Sequence, residues 1–362
     1  MQTLRIGIIG GGYIGKEHAR ALRLVRPFFG NALEIAAVSD QNLAVAEQAA
    51  REFEIGYATA SNEKILNDES IQAVFVCVPT KFHLEIIEQA VKRNKHVFCE
   101  KPFARNLSDA RRVHELLTSS KAFHQVGFVL RYAPHYHALS SILADQASES
   151  PLRSIGLRDD QLLPISGREN FTPWRSDADL AGAGVLIEHG IHDIDAMEWL
   201  FGKIKRVSAR SSNFANFPGI EDYMEVRLEF QSGVPGNMLH LWHGIESHQE
   251  IRHFEIFFNQ SLVTLDRYSM DRVTVRDNTA ETCLEREDLF KRIKHAAPFK
   301  EIAYRSDLVF HSDFYAIQDY WFVRNVLEQK KPFPSIDEGL RAFEVAHACY
   351  ESATQDGEWV SA

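Results

Sequence analysis

The sequence reads Arg5-Ile-Gly-Ile-Ile-Gly-Gly-Gly-Tyr-Ile-Gly15 near its amino end: a short apolar run, a glycine-rich turn and the start of a helical pattern. Gly10, Gly12 and Gly15 have the spacing G-x-G-x-x-G. At such a turn the first glycine allows a tight bend, the second lets the backbone approach a pyrophosphate, and the third lets the helix pack closely on the strand. The pyrophosphate would then bind the N–H groups at the helix start.

The residues that follow alternate β-rich runs with helical patterns as far as residue 130, which is typical of a parallel sheet built from βαβ units. One run, Ala73-Val-Phe-Val-Cys-Val78, is continuously apolar and ends at Pro79, as expected of a central strand covered on both faces. The alternation predicts a doubly wound fold with strands near residues 5–9, 34–39, 57–60, 73–78, 96–99 and 123–129.

An aspartate, Asp40, ends the second predicted strand. At that position a carboxylate can accept hydrogen bonds from ribose hydroxyls and would repel a 2′-phosphate, so the sequence favours NAD over NADP. The alternative is that Asp40 only caps the helix predicted to begin near Leu43.

Two charged residues, Glu100 and Lys101, follow the fifth predicted strand, at the sheet edge where ligands bind in such folds. Lys101 could hydrogen-bond a substrate hydroxyl and stabilise a developing alkoxide by its charge. The alternative is a surface lysine before Pro102. The predicted cofactor site comprises Gly10, Gly12, Tyr13, Ile14, Gly15, Asp40, Pro79, Thr80, His83, Glu100 and Lys101.

The pattern changes after about residue 130, where Met224-Glu-Val-Arg-Leu-Glu-Phe230 alternates apolar and charged residues with period two. This alternation predicts strands with one solvated face in a mostly antiparallel sheet. We therefore predict a first domain over residues 1–130 and a second over 131–362, whose last helices can pack back on the first domain. Because apolar strand faces are rarely left in water, we also expect a homo-oligomer.

The second domain contains a helical pattern from Gly182 to Gly202, with Glu188, His192, Asp195 and Trp199 spaced to share one face. Imidazole titrates near neutrality and can accept a hydroxyl proton during alcohol oxidation, or return it in reduction. The alternatives are a helical salt bridge and a zinc site. An E-x-x-x-H pair supplies only two ligands, so we predict no metal.

Other candidates in this domain are less specific. Arg131, Trp174 and Arg175 could contact the substrate, although the sequence favours packing or ion-pair roles for them. Four further histidines, His240, His243, His248 and His253, lie without ligand spacing and are interpreted as surface or packing residues.

Composition narrows the class of protein. The 362 residues are 45% hydrophobic and 25% charged, which is ordinary for a globular chain. A formal charge of −10 is the wrong sign for nucleic acid or an anionic membrane. The four cysteines form no C-x-x-C pair, so we expect a reduced cytoplasmic setting. We find no signal-peptide pattern and no apolar run long enough to span a membrane.

Taken together, these motifs resemble those of the glucose-fructose oxidoreductase, inositol dehydrogenase and MocA (Gfo/Idh/MocA) family. The resemblance spans nearly the whole chain. The matching segments are residues 10–15, 100–102, 127–134, 174–175, 182–195 and 338–352.

The resemblance implies an α/β chain with an N-terminal doubly wound Rossmann domain and a C-terminal α+β domain with a large, mostly antiparallel open sheet. It also implies hydride transfer between a nicotinamide and a sugar, polyol or related carbon. By motif, Lys101 matches the family's catalytic lysine and His192 its catalytic histidine. Glu188 stands where many members have aspartate, and its longer carboxylate still reaches the site, where the resemblance implies that it orients the substrate. Asp159-Asp-Gln161 and Arg168-Glu-Asn-Phe171 match no motif and are where we expect substrate specificity.

The chemistry leaves two rivals to a simple dehydrogenase. In one, bound NAD serves a transient oxidation, so the net reaction is hydrolysis, epimerisation or elimination. In the other, the chain is a non-catalytic protein that senses a dinucleotide. The presence of both Lys101 and His192 favours an enzyme over a sensor.

Overall fold

The computed structural model describes residues 3–164, 172–248, 250–266, 272–296, 298–302 and 313–362. The chain forms two compact units. The first comprises Met1–Val129 and Asp313–Leu340, and the second comprises Leu130–Ser312 and Arg341–Ala362.

The first unit is built on a six-stranded parallel sheet in the order β3-β2-β1-β4-β5-β6, the arrangement of a doubly wound Rossmann fold. Its central strands are buried on both faces, because their apolar residues are continuous rather than alternating. The strands are β1 (Leu4–Ile9), β2 (Leu33–Ser39), β3 (Tyr57–Thr59), β4 (Ala73–Val76), β5 (His96–Cys99) and β6 (His124–Val126).

Helices connect these strands. Five precede residue 130: α1 (Tyr13–Phe29), α2 (Leu43–Phe53), α3 (Asn62–Asn67), α4 (His83–Lys92) and α5 (Leu107–Thr118). The last strand is shorter than the predicted 123–129, because Val129–Tyr132 form a 3-10 turn.

A later helix, α10 (Phe314–Leu327), also belongs to the first unit. Asp313 caps it and pairs with Arg20 of α1 at 2.6 Å. The ring of Phe322 contacts the rings of Phe75 and Phe98, with centroids 5.3 and 5.5 Å apart. The sequence analysis bounded the second domain at residues 131–362 and allowed its last helices to pack back on the first. In the structure α10 packs in this way, because it completes the aromatic core of the first unit.

The second unit contains a nine-stranded sheet in the order β14-β13-β12-β11-β7-β10-β9-β8-β15. All its pairs are antiparallel except the pair of β7 and β10. The strands are β7 (Leu152–Leu162), β8 (Ile204–Ser212), β9 (Tyr223–Phe230), β10 (Pro235–His243), β11 (Ile251–Phe258), β12 (Ser261–Asp266), β13 (Arg272–Asp277), β14 (Glu281–Glu285) and β15 (Val360–Ser361).

One face of this sheet is buried. In β9, Met224, Val226, Leu228 and Phe230 are buried, as the period-two pattern predicts. The helices of the unit are α6 (Pro134–Glu149), α7 (Ala178–Ala181), α8 (Ile191–Phe201), α9 (Arg286–Ile293) and most of α11 (Ile336–Thr354). Among the described residues, no helix has the length and apolarity needed to cross a membrane.

Candidate functional site

The glycine-rich turn between β1 and α1 has no room for side chains at two of its glycines. Gly10 has φ +104°, and a Cβ there would lie 2.3 Å from the carbonyl oxygen of Cys77. A Cβ at Gly15 would lie 1.9 Å from the carbonyl oxygen of Gly10. At Gly12 the situation is opposite, since a Cβ would meet no atom of the described residues within 4 Å. The turn is therefore tightly packed behind and open at Gly12, as a backbone site for a pyrophosphate requires.

Asp40 follows β2 and is tied to the same turn. Its Oδ2 accepts the N–H of Gly11 at 3.0 Å, and its Oδ1 accepts the N–H of Asn42 at 2.9 Å. The residue that caps α2 is Asn42, whose side chain accepts the N–H of Ala44 at 3.2 Å. The capping alternative for Asp40 is therefore wrong, and its carboxylate lies beside the glycine turn.

The other predicted cofactor residues lie at the ends of β4 and β5. Thr80 and His83 are buried, and His83 Nε2 lies 2.8 Å from the carbonyl oxygen of Val78. Glu100 is also buried, and its Oε2 accepts the backbone N–H of Lys101 at 3.2 Å. The side chains of His83 and Glu100 therefore contact the interior of the unit, and Lys101 is half-buried at the strand end.

The helical pattern of the second unit differs from the predicted single α-helix. The segment Leu186–Gly190 is a turn of π-helix, and α8 begins after it at Ile191. Glu188 lies in the π turn and His192 in α8, so the four-residue spacing does not follow regular α geometry. π turns of this kind occur frequently at functional sites.

Each acidic residue predicted near His192 is paired with an arginine of the same unit. Glu188 Oε2 accepts from Arg175 Nε at 2.7 Å, and its side chain is fully buried. Asp195 accepts from Arg131 through both oxygens, at 2.7 and 2.8 Å. Both arginines therefore form ion pairs. His192 stands between Glu188 and Asp195 in the sequence, and 8% of its surface is exposed.

Aromatic rings complete these pairs. The guanidinium of Arg175 lies 4.8 Å from the ring centroid of Trp174, and that of Arg131 lies 5.1 Å from the ring centroid of Trp199. Such stacking restrains a guanidinium in one plane.

Two residues that the sequence analysis missed hold the π turn. Glu221 is buried and accepts the backbone N–H groups of Gly184 at 2.8 Å and Leu186 at 3.0 Å. The hydroxyl of Tyr350 donates to Glu221 at 2.9 Å and accepts the N–H of Ile187 at 3.2 Å. Burial raises the pKa of Glu221, although these hydrogen bonds oppose the shift. Glu221 has no motif spacing that could have identified it.

Three of the four histidines interpreted as surface or packing residues fall into two clusters with carboxylates. Ligand atoms of Asp160, His243 and His248 lie within 4.8 Å of one another. Nitrogen and carboxylate donors at such distances resemble a metal site. However, Arg158 pairs with Asp160 at 2.7 Å and already supplies the positive charge that a cation would bring.

The second cluster contains Asp159, Asp193 and His240, all buried. Arg252 pairs with Asp159 at 2.9 Å and with Asp193 at 3.0 Å, and His240 Nε2 lies 3.1 Å from Asp193, so a guanidinium already stands where a cation would bind the two carboxylates. Asp159 and Gln161, the first proposed specificity segment, are thus held within this network, because Gln161 Nε2 donates to Asp159 at 3.1 Å. The second segment, residues 168–171, lies outside the described residues.

Comparison with known proteins places both units in one family. The family model described as "Oxidoreductase family, NAD-binding Rossmann fold" matches residues 4–128. The model described as "GFO/IDH/MocA C-terminal domain" matches residues 158–260.

Curated relatives include dehydrogenases. Levoglucosan dehydrogenase of Pseudarthrobacter phenanthrenivorans is 30% identical over 213 residues, which are 58% of this chain and 54% of that protein. The match thus spans about half the length of that relative. Myo-inositol 2-dehydrogenase of Thermotoga maritima is 26% identical over 358 residues, which are 96% of each chain.

Solved structures share the fold along the whole chain. A levoglucosan dehydrogenase in complex with NADH and levoglucosan superposes with a TM-score of 0.83 at 22% identity, covering 99% of each chain. GenD2 from gentamicin A biosynthesis, in complex with NAD, gives a TM-score of 0.80 at 22% identity, covering 100% of this chain and 97% of that one. With both units matched by its models, this chain belongs to the Gfo/Idh/MocA oxidoreductase family, and its first unit is an NAD-binding Rossmann domain.

Proposed function

We propose that this protein is an NAD-dependent dehydrogenase that transfers hydride between nicotinamide and a secondary alcohol or carbonyl of a sugar, polyol or related carbohydrate. The observation that carries the proposal is that one chain contains two features: a glycine turn that is open at Gly12, with Asp40 beside it, and the helix that bears His192. The names of the relatives, levoglucosan and inositol dehydrogenases, support a polyhydroxylated substrate.

The cofactor would be held mainly by backbone groups of the first unit. Gly10, Gly12 and Gly15 shape the turn, and the N–H groups at the start of α1 would bind the pyrophosphate. Asp40 would bind the ribose hydroxyls and disfavour the 2′-phosphate of NADP. When bound, NAD supplies the hydride acceptor or donor. The proposed contact set is completed by residues at the start of α1 and after β4 and β5: Tyr13, Ile14, Pro79, Thr80, His83, Glu100 and Lys101.

The chain's own residues handle the proton and the oxygen of the substrate. His192 accepts the hydroxyl proton during oxidation and returns it in reduction. Lys101 donates a hydrogen bond to the same oxygen and stabilises its developing negative charge. Glu188 acts through Arg175, whose guanidinium it orients at 2.7 Å. Trp174 and the Arg131–Asp195 pair are proposed substrate contacts.

A screen of purified protein against polyols, aldoses, uronic acids and anhydrosugars, with NAD or NADP, tests the proposal. We expect NADH formation with at least one member and weaker activity with NADP. Product analysis by NMR separates the rivals: an oxidised sugar supports the dehydrogenase, whereas an epimer or cleaved product with no net NADH indicates a transient oxidation. Binding of NAD without turnover of any substrate would favour a sensor.

We further propose that the protein is a cytoplasmic homodimer or homotetramer without a nucleic-acid partner. In β11, Phe254 and Ile256 are buried, but Phe257 points to the opposite side and is 43% exposed. A second copy would cover this second sheet face. The four cysteines are free and the net charge is −10, which fits a reducing compartment and disfavours nucleic acid.

Light scattering at low micromolar concentration tests the assembly. We expect a dimer or tetramer that Phe257→Glu dissociates. Phe214→Glu serves as the control, because Phe214 is 71% exposed and lies outside the strands. A monomeric wild-type protein contradicts the proposal.

A further inference from the structure

The first unit contains a buried histidine that neither the cofactor site nor the proposed proton transfer uses. His18 lies in α1, three residues beyond Gly15, and its side chain is fully buried. Its ring packs in T-shaped contact against the stacked rings of Phe75 and Phe98, with centroids 5.1 and 4.9 Å away. An imidazole so enclosed is costly to bury unless its nitrogens are satisfied.

Both ring nitrogens of His18 face carboxylates. Nδ1 lies 3.0 and 2.9 Å from the two oxygens of Asp319, and Nε2 lies 3.1 Å from Oε1 of Glu100. Ionised carboxylates only accept hydrogen bonds, so both nitrogens donate and the ring is an imidazolium. Burial lowers the pKa of His18, but Asp319 and Glu100 outweigh burial and raise it to about 10.

Glu100 is held from three directions. His18 binds Oε1, and Oε2 accepts the backbone N–H of Lys101 at 3.2 Å. On a third side it lies against the backbone of Gly127, where an added Cβ would be 2.4 Å from Oε1. Glu100 directly follows β5, so its carboxylate links the buried histidine to the residue that carries the proposed catalytic ammonium group.

We propose that His18 is a positioning residue for Lys101: Asp319 orients the imidazolium, the imidazolium holds Glu100, and Glu100 fixes the backbone of Lys101 at the end of β5. This proposal rests on the proposed function, in which Lys101 binds the substrate oxygen. It gives Asp319, more than 200 residues beyond Lys101 in the sequence, an indirect role in catalysis, in which Asp319 itself touches neither substrate nor cofactor.

The other charged and titratable groups around His18 come from four elements. Asp313, which caps α10, contributes to raising the pKa of Asp319 and is itself paired with Arg20. The ring centroid of Tyr315, beside Asp313, is 5.6 Å from that of His18. Cys77 follows β4, and Cys99 is the last residue of β5. Burial together with Glu100 raises the pKa of both thiols. Glu17, also on α1, binds Arg20.

Within this cluster, burial raises the pKa of Asp319 to about 6 although His18 opposes the shift. Arg20 is committed to the carboxylates of Asp313 and Glu17. His18 is therefore the group that bridges Asp319 and Glu100, and a single imidazolium serves two buried carboxylates.

Asp319→Asn tests this arrangement with little change of shape. The neutral amide removes one of the two carboxylates that raise the pKa of His18, so the imidazolium is less stable while Nε2–H can still bind Glu100. A weaker imidazolium holds Glu100 less firmly, and the hydrogen bond from the N–H of Lys101 to Glu100 weakens with it. His18→Gln is the second variant, because it keeps one donor without an imidazole. Asp337→Asn is the control, since Asp337 pairs with His114 at 2.7 Å on the surface of the same unit.

Two measurements on the full-length protein need no substrate. Histidine-selective ¹⁵N NMR should show both ring nitrogens of His18 protonated at pH 8, whereas a neutral ring at pH 8 overturns the proposal. Hydrogen exchange of the Lys101 amide should accelerate about tenfold in Asp319→Asn and stay unchanged in Asp337→Asn. Equal protection in wild type and Asp319→Asn would also overturn it.

The kinetic test uses whichever substrate the screen identifies. Removing a residue that orients a catalytic group typically costs about 10- to 100-fold in activity. We expect Asp319→Asn to lower kcat by that factor, to change the Kd for NAD less than kcat because Glu100 and Lys101 are also predicted cofactor contacts, and to move the acid limb of the kcat profile to higher pH. An unchanged kcat and pH profile rejects the positioning role. If the wild-type protein oxidises no substrate, the proposed function fails, while the NMR and exchange results still decide whether His18 holds Glu100 and Lys101.

Discussion

The two units neutralise their buried carboxylates in different ways. In the first, Glu100 and Asp319 share the single imidazolium of His18. In the second, arginines bind the acids around α8: Arg175 binds Glu188, Arg131 binds Asp195, and Arg252 binds both Asp159 and Asp193. Arginine keeps its charge at every relevant pH, but histidine does not. The charge balance around Glu100 and Asp319 is therefore open to titration, whereas Glu188 and Asp195 keep the positive charge of their arginines at every relevant pH.

The units also differ in what forms their proposed sites. The first presents backbone groups at strand ends and at a glycine turn that excludes side chains at Gly10 and Gly15 and is open at Gly12. The second presents side chains from a π turn and a helix, each acid already engaged. Backbone sites suit a constant ligand such as a dinucleotide, and side-chain sites suit a substrate that varies between relatives. Substitutions should thus separate cofactor binding from chemistry.

The largest effect should come from the two proposed catalytic residues, one in each unit. His192→Ala should lower kcat by about 10² to 10⁴ because general acid–base help is lost. Lys101→Met should lower it by about 10² to 10³ because the oxyanion loses its cation. The two losses should not add fully, since both side chains act on one oxygen. Steady-state kinetics of the single and double variants measure this.

Matched surface variants provide the control. His295→Ala and Lys121→Met change the same residue types at exposed positions of the second and first unit. Both should retain wild-type kcat, NAD affinity and melting temperature. If His192→Ala instead lowers the melting temperature while activity per folded molecule survives, the catalytic role of this helix is wrong.

The next effect distinguishes glycines of the turn that are needed for NAD binding from those that are needed for stability. Gly12→Ala should weaken NAD binding about tenfold or more, the equivalent of at least 1.4 kcal/mol, because its methyl group occupies the open approach to the turn. Its melting temperature should stay near wild type, because the added Cβ meets no described atom within 4 Å. Gly15→Ala should lose about 1–3 kcal/mol of stability, because its Cβ would overlap the carbonyl oxygen of Gly10.

Calorimetric titration with NAD and thermal melts of both glycine variants measure these differences. Equal loss of stability in the two variants would mean that the turn is a structural feature alone.

A smaller effect should follow from Glu188→Gln, which keeps a hydrogen-bond acceptor for Arg175 but removes its charge. We expect a loss of about 1–3 kcal/mol in stability, typical of a buried hydrogen bond to a charged group. We also expect a rise in substrate KM that exceeds the fall in kcat, because Glu188 acts through the guanidinium. A kcat deficit as large as that of His192→Ala, with KM unchanged, would show that Glu188 acts on the proton itself.

The last effect appears only above neutral pH and tests the pH comparison directly. The pKa of His18 is raised from 6.5 to about 10 in the folded protein, so folding binds this proton more tightly than the unfolded chain does. The stabilisation is complete below about pH 6.5, declines above it and is lost as the pH rises through about 10. Hydrogen exchange, corrected for its intrinsic pH dependence, should show weakening protection of α1 and α10 over this interval.

Helix α8 supplies the comparison for that experiment. Its acids are bound by arginines, so its protection should change less between pH 7 and pH 10. Parallel loss of protection in α1 and α8 would contradict the difference between the units.

The strands, the glycine turn and the strand-end residues could be predicted from local sequence. Period-two alternation and continuous apolar runs located the strands near their observed positions, because side-chain burial on a strand depends on immediate neighbours. Glycine spacing indicated the turn before α1, since no other residue tolerates the approach seen at Gly10 and Gly15. The strand-end positions of Asp40 and Lys101 followed from the same alternation. The catalytic roles of Lys101, His192 and Glu188 came from family resemblance and stay predictions.

Three features depended on the tertiary structure. The π turn at Leu186–Gly190 is held by Glu221 and Tyr350, which lie in other segments of the chain. Helix α10 joins the first unit through aromatic contacts with β4 and β5. His18, Glu100 and Asp319 meet across 301 residues of sequence. Periodicity reports which side of an element is buried, but only folding determines which distant side chains meet there, and a buried charge takes its pKa from those partners.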